Sequence, residues 1–225
     1  MAAELPHTST IYQAAFRPAV EVKVVSEEPA AGLLVVLSGP SGVGKDAVMD
    51  RLRQQCYPLR FTVTATTRSP RKGEVHGKDY FFVSNEEFDR MVAEDALLEW
   101  AVVHGNRYGV PREQVRKILQ GGEDVLMRVD VQGSATIKRK VPGAVLIFLA
   151  PPSMEVLVKR LSGRGTETAE QLRTRIDNAV EEMKRLPDFD YCVVNQDDGL
   201  AEAVEKVKAI IVAEKCRVHR RQAVV

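Results

Sequence analysis

A strand-like run leads directly into a glycine-rich loop near the start of the chain, and this junction constrains the fold more than any other feature. The apolar run LLVVL at 33–37 is followed by GPSGVGK at 39–45 and then by DAVMDRL, whose apolar residues recur at helical spacing. A continuous apolar run indicates a strand buried on both faces, as at the centre of a parallel sheet. Glycines let several backbone amides face one anion at the start of a helix. The junction therefore predicts a strand, a phosphate-binding loop and a helix.

Further strand-like runs alternate with helical segments along the rest of the chain. Buried strands are predicted at 125–129, 145–149 and 191–194, and a less purely apolar one at 97–103. SNEE at 84–87 and TAEQ at 168–171 are typical of capping boxes, Pro111 suits the first turn of a helix, and a last helix is predicted over 200–215. This alternation favours a three-layer α/β fold with a mainly parallel sheet.

The region from 61 to 110 interrupts the alternation. It contains the strand-like runs FTVTA at 61–65 and DYFFV at 79–83, with arginines between them. We therefore predict an inserted, mostly β subdomain. Insertions at the strand ends of such sheets are where ligands bind.

Composition excludes several classes of function. The net charge of +1, from 32 basic and 31 acidic residues, gives no support for a nucleic-acid or membrane-surface protein. No apolar run approaches the roughly 18 residues that a membrane span needs. The three cysteines, Cys56, Cys192 and Cys216, are far apart, which is typical of reduced thiols in an intracellular protein. Residues 1–31 lack the features of a secretory signal and are predicted to be a flexible leader.

The residue after the loop lysine departs from the usual pattern. Lys45 is predicted to reach the β- and γ-phosphates of a nucleotide, and Asp46 stands where a Ser or Thr hydroxyl normally holds Mg²⁺. A carboxylate can also hold Mg²⁺, directly or through water, but its charge beside a triphosphate must be offset by metal or arginine. The alternative is a loop that has kept its shape and lost catalysis.

A GTPase switch is one way to use such a loop. Asp130-Val-Gln-Gly133 matches D-x-x-G, and 195–198 half-matches the guanine motif N-K-x-D. Against this interpretation, Gln196 replaces the lysine of the second motif, and the hydroxyl after Lys45 is missing.

Phosphoryl transfer between two bound nucleotides is the second possible use of the phosphate-binding loop. Arg68 and Arg71 lie three residues apart, a spacing that suits a fork onto one phosphate. Arg164 stands between two glycines, with Arg160 before it and Arg175 after it. An arginine on such a segment indicates a lid that closes over a transferring phosphoryl group.

Taken together, these stretches resemble the guanylate kinase family. The matching stretches are GPSGVGK, TTRSPRKGEVHGKDYFFVS, LLEWAVVHGNRYG, DVQG, APPS and RLSGRGTET, spread from about residue 33 to residue 215. The resemblance implies the reaction of ATP with GMP or dGMP, with Mg²⁺. It also implies a P-loop NTPase core at 32–60, 111–161 and 173–217, a GMP-binding subdomain at 61–110, a lid at 162–172 and a tail at 218–225.

On the acceptor side, the resemblance implies that Arg68 and Arg71 hold the GMP phosphate and that Glu99 accepts hydrogen bonds from the guanine N1–H and 2-amino group. Adenine lacks both donors, so mispairing would leave a desolvated charge. The implied GMP-binding residues are Thr64, Arg68, Arg71, Tyr80, Glu99, Tyr108 and Asp130.

On the donor side, the family pattern implies charge neutralisation rather than a general base, since the acceptor phosphate is already ionised. The implied catalytic residues are Lys45, Arg68, Arg164 and Arg175. The implied ATP-binding residues are Gly39, Pro40, Ser41, Gly42, Val43, Gly44, Lys45, Asp46, Arg160, Arg164 and Asn195, with Asp46 as the implied Mg²⁺ ligand.

Three departures from the family pattern accompany this resemblance. Asp46 replaces a hydroxyl residue, Val110 replaces another that would contact phosphate, and Arg128 replaces an acid. We hypothesise that Arg128 and Asp46 compensate each other. The variant set resembles the plant organellar branch, which implies a plastid or mitochondrion, with the cytoplasm as the alternative.

The expected partners are ATP and GMP, without nucleic acid or membrane, and the sequence is compatible with a monomer or a homodimer. Guanylate-kinase-like scaffold domains, which bind phosphopeptides without catalysis, are a further alternative. Such domains typically lose the loop glycines and lysine, which are present here.

Overall fold

The computed structural model describes residues 32–55, 57–103, 105–162 and 168–225. The predicted leader, Cys56 and residues 163–167 of the predicted lid, with Arg164 among them, therefore lie outside the described residues. The strands, in chain order, are β1 (Leu34–Ser38), β2 (Arg60–Phe61), β3 (Thr64–Thr66), β4 (Tyr80–Phe82), β5 (Leu97–Val103), β6 (Asn106–Pro111), β7 (Val125–Arg128), β8 (Val145–Ala150) and β9 (Tyr191–Val194). The helices are α1 (Lys45–Gln54), α2 (Asn85–Ala93), α3 (Arg112–Gln120), α4 (Val131–Lys140), α5 (Met154–Ser162), α6 (Ala169–Met183) and α7 (Leu200–Lys215).

The larger sheet has the order β2-β7-β1-β8-β9, and every neighbouring pair is parallel. Its central strand, β1, is fully buried because helices cover both faces. One apolar cluster joins the sheet to α1, α5, α6 and α7, and a second joins it to α3 and α4. The prediction of a three-layer α/β fold with a mainly parallel sheet is confirmed.

A second, mixed sheet has the order β4-β3-β6-β5. β3 pairs with β4 in parallel and with β6 antiparallel, and β5 pairs with β6 antiparallel. Helix α2 covers it through Phe88, which packs with Ala65 and Leu97 in a small core of its own. This sheet and α2 come from the region that interrupts the strand–helix alternation in the sequence.

The expectation for 61–65 and for 97–103 needs correction. FTVTA is divided, because Phe61 pairs with Leu126 in the parallel sheet whereas Thr64 begins β3 of the second sheet. The strand at 97–103 is buried only in its first half and exposes Trp100 and Val102. The start of this strand is covered on both sides, because Leu97 packs with Phe88 and Leu98 packs in the second apolar cluster, whereas its second half is mostly exposed.

The predicted helix ends agree with the local geometry. Ser84 accepts from the Glu87 amide, and Thr168 and Gln171 form a reciprocal capping box. Pro111 directly precedes α3 as its N-terminal cap residue.

The C-terminal residues pack back onto the domain. Arg221 donates to Glu214 Oε2 at 3.1 Å and to Asp190 Oδ1 at 3.2 Å, and Tyr191 donates to Glu214 Oε1 at 2.5 Å. Among the described residues, none of the helices has the length and apolar character that a membrane crossing requires.

Candidate active site

The phosphate loop connects β1 to α1 at the centre of the parallel sheet. Gly39, Gly42 and Gly44 have φ values of 136°, 81° and 101°, which favour glycine. A Cβ on Gly39 would also lie 2.2 Å from the carbonyl oxygen of Leu149. The loop therefore keeps its curled shape only with glycine at these positions, and its amides lie at the N-terminus of α1, where an anion is favoured.

Lys45 begins α1 and curls back over the loop. Its Nζ donates to the carbonyl oxygens of Gly39 at 2.6 Å and Pro40 at 3.0 Å. Burial lowers the pKa of Lys45 to about 8, an effect that the carboxylate of Glu182 opposes and the guanidinium of Arg128 reinforces. A nucleotide phosphate beside Nζ would favour the ammonium form.

Helix α6 holds the loop from the opposite side. Glu182 Oε2 accepts from the Ser41 amide at 3.0 Å, and Arg175 Nη2 donates to Ser41 Oγ at 3.3 Å. The structure thus brings Arg175 to the phosphate loop. The contact of Glu182 was not predicted, because a single acid on a polar helix carries no distinguishing sequence pattern.

Arg160 and Asn195 also support the loop. Asn195 Nδ2 donates to Val43 O at 2.8 Å, and Arg160 Nη2 donates to Asn195 O and to Asp197 Oδ1, each at 2.9 Å. The side chain of Asn195 is buried, and its Oδ1 has no hydrogen-bond partner among the residues that the structure describes. Asn195 is thus a buried side chain with an unused acceptor beside the loop.

A cavity of about 510 Å³ lies between the two sheets. It brings the loop lysine together with residues predicted for the acceptor. The predicted residues that line it are Lys45, Thr64, Arg71, Tyr80, Glu99, Tyr108 and Asp130. Ala101, Val103 and Val129 add an apolar wall. The lining thus combines cations, carboxylates and phenols in one cavity.

Arg68 lies beside this cavity and is held by an acid. Its guanidinium lies 5.3 Å from the ring centroid of Tyr80, and its Nη2 donates to Glu74 Oε1 at 2.8 Å. The hydrogen bond with Glu74 raises the pKa of Arg68 above its already high ordinary value, and a hydrogen bond with Tyr108 adds to this. Glu74 also accepts from the Arg71 amide at 2.6 Å. Glu74 was not predicted, although an acid three residues after the second of two close arginines is a signal that could have indicated it.

Glu99 is a buried acid in this cavity. The residue is only 8% exposed, and burial raises the pKa of its carboxyl group to about 7. The charge of Asp130 raises this pKa further, whereas the charge of Lys140 lowers it. A Cβ on Gly133 would lie 2.9 Å from Glu99 Oε1, so the glycine leaves the space that this carboxylate occupies.

Asp130 explains the D-x-x-G match in structural terms. It is the N-terminal cap of α4, and its Oδ1 accepts from the Gly133 amide at 2.7 Å. The aspartate and the glycine are therefore parts of a helix cap beside Glu99.

Arg128 and Asp46 form an ion pair at the cleft, as the compensation hypothesis required. Arg128 lines the cavity described above and also a neighbouring cavity of about 440 Å³ that contains Asp46 and Glu74. Val110, by contrast, is 2% exposed and packs in the core with Leu98 and Val115.

Comparisons with known proteins agree on one family. The family model described as Guanylate kinase matches residues 32–214. A guanylate kinase of Caldanaerobacter subterraneus subsp. tengcongensis is 49% identical over 191 residues, which are 85% of this chain and 92% of that protein. Guanylate kinase 2, chloroplastic/mitochondrial, of Oryza sativa subsp. japonica is 49% identical over 195 residues, 86% of this chain and 68% of that protein.

A solved structure gives the same answer. The crystal structure of guanylate kinase from Anaplasma phagocytophilum superimposes with a TM-score of 0.67 and 33% sequence identity, covering 84% of this chain and 89% of that one. The chain belongs to the guanylate kinase family.

Proposed function

We propose that this protein transfers the γ-phosphoryl group of ATP to GMP or dGMP, giving ADP and the corresponding diphosphate. The observation that carries the proposal is the buried carboxylate of Glu99 in the same cavity as Lys45 and Arg71. The same cavity thus offers a carboxylate for guanine and cations for phosphate, which are the groups that the two ends of one nucleotide need.

Glu99 would select guanine. In its ionised form it accepts from N1–H and the 2-amino group together. The carboxylate of Asp130 offers a further acceptor nearby. Adenine presents no N1 proton and no 2-amino group, so AMP would leave a desolvated carboxylate unpaired. Thr64, which lines the same cavity, offers the base another hydrogen bond.

The GMP phosphate would be held by Arg68 and Arg71 with the hydroxyls of Tyr80 and Tyr108. Tyr80 and Tyr108 pack edge to face, with ring centroids 6.1 Å apart, so they form one wall of the cavity. Arg68 is engaged with Glu74, which keeps its guanidinium in place for a phosphate. Such preorganisation lowers the ordering cost of binding.

ATP would bind on the other side of Lys45. The amides of 39–44 cradle its phosphates, and Lys45 and Arg175 neutralise the charge on the transferring group. Arg160 supports the loop through Val43 and Asn195. The unpaired Oδ1 of Asn195 supports its role on this side, because the adenine amino group is a donor of the kind that it lacks. Arg164 completes the set as a residue of the proposed lid.

Mg²⁺ fits the residues at the mouth of the loop. Among the described residues there is no group of three or more His, Cys, Asp or Glu side chains that could hold a metal by themselves. Mg²⁺ usually binds through one or two carboxylates together with substrate phosphates and water, and Asp46 supplies such a carboxylate. Bound there, Mg²⁺ would reduce the negative charge of the triphosphate.

The proposed domain organisation assigns the two sheets to different parts of the protein. We propose a core at 32–60, 111–161 and 173–217, a GMP-binding subdomain at 61–110 and a lid at 162–172. We also propose a plastid or mitochondrial location, since a rice relative carries an organellar name.

A coupled assay of ADP release with GMP, AMP, CMP and UMP as acceptors tests the proposal. GMP alone should respond, and a Lys45→Met variant should lose transfer while still binding guanosine. GTP hydrolysis without an acceptor would favour a nucleotide switch. No turnover with any acceptor would favour a phosphopeptide-binding scaffold, and either result would refute the proposal.

A further inference from the structure

Arg128 is a cation at the cleft to which no role in binding or catalysis has been assigned. It is the last residue of β7 and stands level with Leu37 of β1, at the strand ends where the phosphate loop begins. It is 40% exposed, so its side chain reaches the cleft rather than the core.

The position of Arg128 between two cavities distinguishes it from an ordinary surface arginine. One of the cavities contains Lys45 and Arg71, and the other contains Asp46 and Glu74. Arg128 lines both. It therefore lies where the phosphates of a donor held by Lys45 and an acceptor held by Arg71 would meet.

The ion pair with Asp46 is of a kind that can exchange partners. Asp46 is 70% exposed, and pairs between exposed side chains contribute little to stability because water screens them. A phosphate offers a guanidinium two parallel, charge-assisted hydrogen bonds and a higher charge than one carboxylate. An incoming phosphate is therefore a stronger partner for Arg128 than Asp46 is.

We propose that Arg128 is a phosphate-binding residue at the junction of the donor and acceptor sites, and that Asp46 holds it there until the nucleotides bind. This inference rests on the proposed function, since it requires two phosphate chains to meet in the cleft. In the free protein the pair limits the positive charge of the cleft. In the complex the guanidinium neutralises phosphate, and the carboxylate of Asp46 is released.

The competing explanation is that Arg128 only neutralises Asp46. The two explanations differ in what happens when both charges are removed. If Arg128 is only a counter-ion, an Asp46→Asn/Arg128→Met double variant regains the wild-type affinity for phosphate ligands. If Arg128 binds phosphate, the double variant binds more weakly than both Asp46→Asn and the wild type, because it lacks the guanidinium contact.

Isothermal titration calorimetry without metal measures this directly. The probes are a dinucleotide in which five phosphates join adenosine and guanosine, and guanosine itself. We expect Arg128→Met to weaken the dinucleotide by about tenfold, the order of one charge-assisted hydrogen bond, and to leave guanosine unchanged. Asp46→Asn should bind the dinucleotide at least as tightly as the wild type.

A matched control separates the cleft from general charge effects. Arg116 forms an exposed ion pair with Glu113 on α3, outside both cavities, so Arg116→Met should not alter binding of either probe. Thermal melting of each variant checks folding, and Arg128→Lys should restore only part of the affinity because it cannot make the bidentate contact.

Each outcome decides the matter. Unchanged dinucleotide affinity in Arg128→Met, or wild-type affinity in the double variant, would overturn this inference and leave the proposed function intact. Failure of the wild-type protein to bind the dinucleotide would overturn both.

Discussion

The ionisation of Glu99 should make guanine binding depend on pH near neutrality. Burial raises the pKa of Glu99 to about 7 in the free protein. Only the carboxylate accepts from both N1–H and the 2-amino group, so protonation as the pH falls through 7 removes the guanine-binding form. We therefore expect binding to weaken on the acid side and to reach its limit above pH 8.

The size of the effect follows from the titration. With a pKa of about 7, about one Glu99 in ten is ionised at pH 6 and nearly all are ionised at pH 8. The apparent dissociation constant for guanosine should therefore be about tenfold higher at pH 6 than at pH 8. Glu99→Gln should bind guanosine weakly at both pH values, because its amide presents one acceptor and a donor that clashes with a guanine donor.

The free energy of unfolding should fall as the pH rises, whereas the affinity for guanosine should increase. The pKa of Glu99 rises from the ordinary value of 4.5 to about 7, so the folded state retains a proton that the unfolded state has lost between these values. Stability therefore falls as the pH rises through this window, by up to about 3 kcal/mol. Glu99→Gln should remove this penalty and melt several degrees higher at pH 8, with little difference near pH 4.5.

Guanosine is the correct probe for this test because GMP carries a phosphate that itself titrates near pH 6. Calorimetry from pH 6 to pH 8 on the wild type and Glu99→Gln, with thermal melts in the same buffers, provides both measurements. Equal guanosine affinity of the wild type at pH 6 and pH 8 would refute the reasoning. So would a Glu99→Gln variant that binds guanosine as tightly as the wild type does at pH 8.

Three further variants test neighbouring contacts. Gly133→Ala should keep or raise the melting temperature, because alanine favours a helix, but should raise the KM for GMP about tenfold by displacing Glu99; an unchanged KM would contradict the close approach. Arg71→Ala should raise the KM for GMP about tenfold or more without changing guanosine binding, and a matching loss of guanosine would show a wider disturbance. ATP affinity should decline above about pH 8 in the wild type, where Lys45 loses its proton. In Glu182→Gln this decline should begin at a lower pH, because the carboxylate of Glu182 raises the pKa of Lys45; an unshifted pH profile would exclude this coupling.

The parts of the fold that depend on local sequence were predictable. The strand, loop and helix around Lys45 are continuous in the chain, and the caps at Ser84 and Thr168 need only the next three residues. Contacts between distant segments were not predictable in this way. Glu182 reaches Ser41 across 141 positions, and one polar helix residue looks like another until the fold brings them together.

Burial of β5 was wrongly predicted for a related reason. An apolar run reports the preference of the residues, whereas burial depends on whether a second layer covers the sheet. Leu97 and Leu98 meet the core, but Trp100 and Val102 belong to the part of an edge strand that nothing among the described residues covers fully. Tertiary context therefore decides the exposure of such a run.

The cap at Asp130 also has a consequence for how tetrapeptide patterns are used to sort nucleotide-binding proteins. An aspartate that follows a strand and accepts from the amide three residues later is the ordinary start of a helix, and a glycine at that third place here leaves room for the carboxylate of Glu99. A helix cap and the packing of Glu99 thus produce the D-x-x-G pattern of a nucleotide switch without its function. Searches for molecular switches by this pattern would gather phosphotransferases as well, unless they also require a hydroxyl residue directly after the loop lysine.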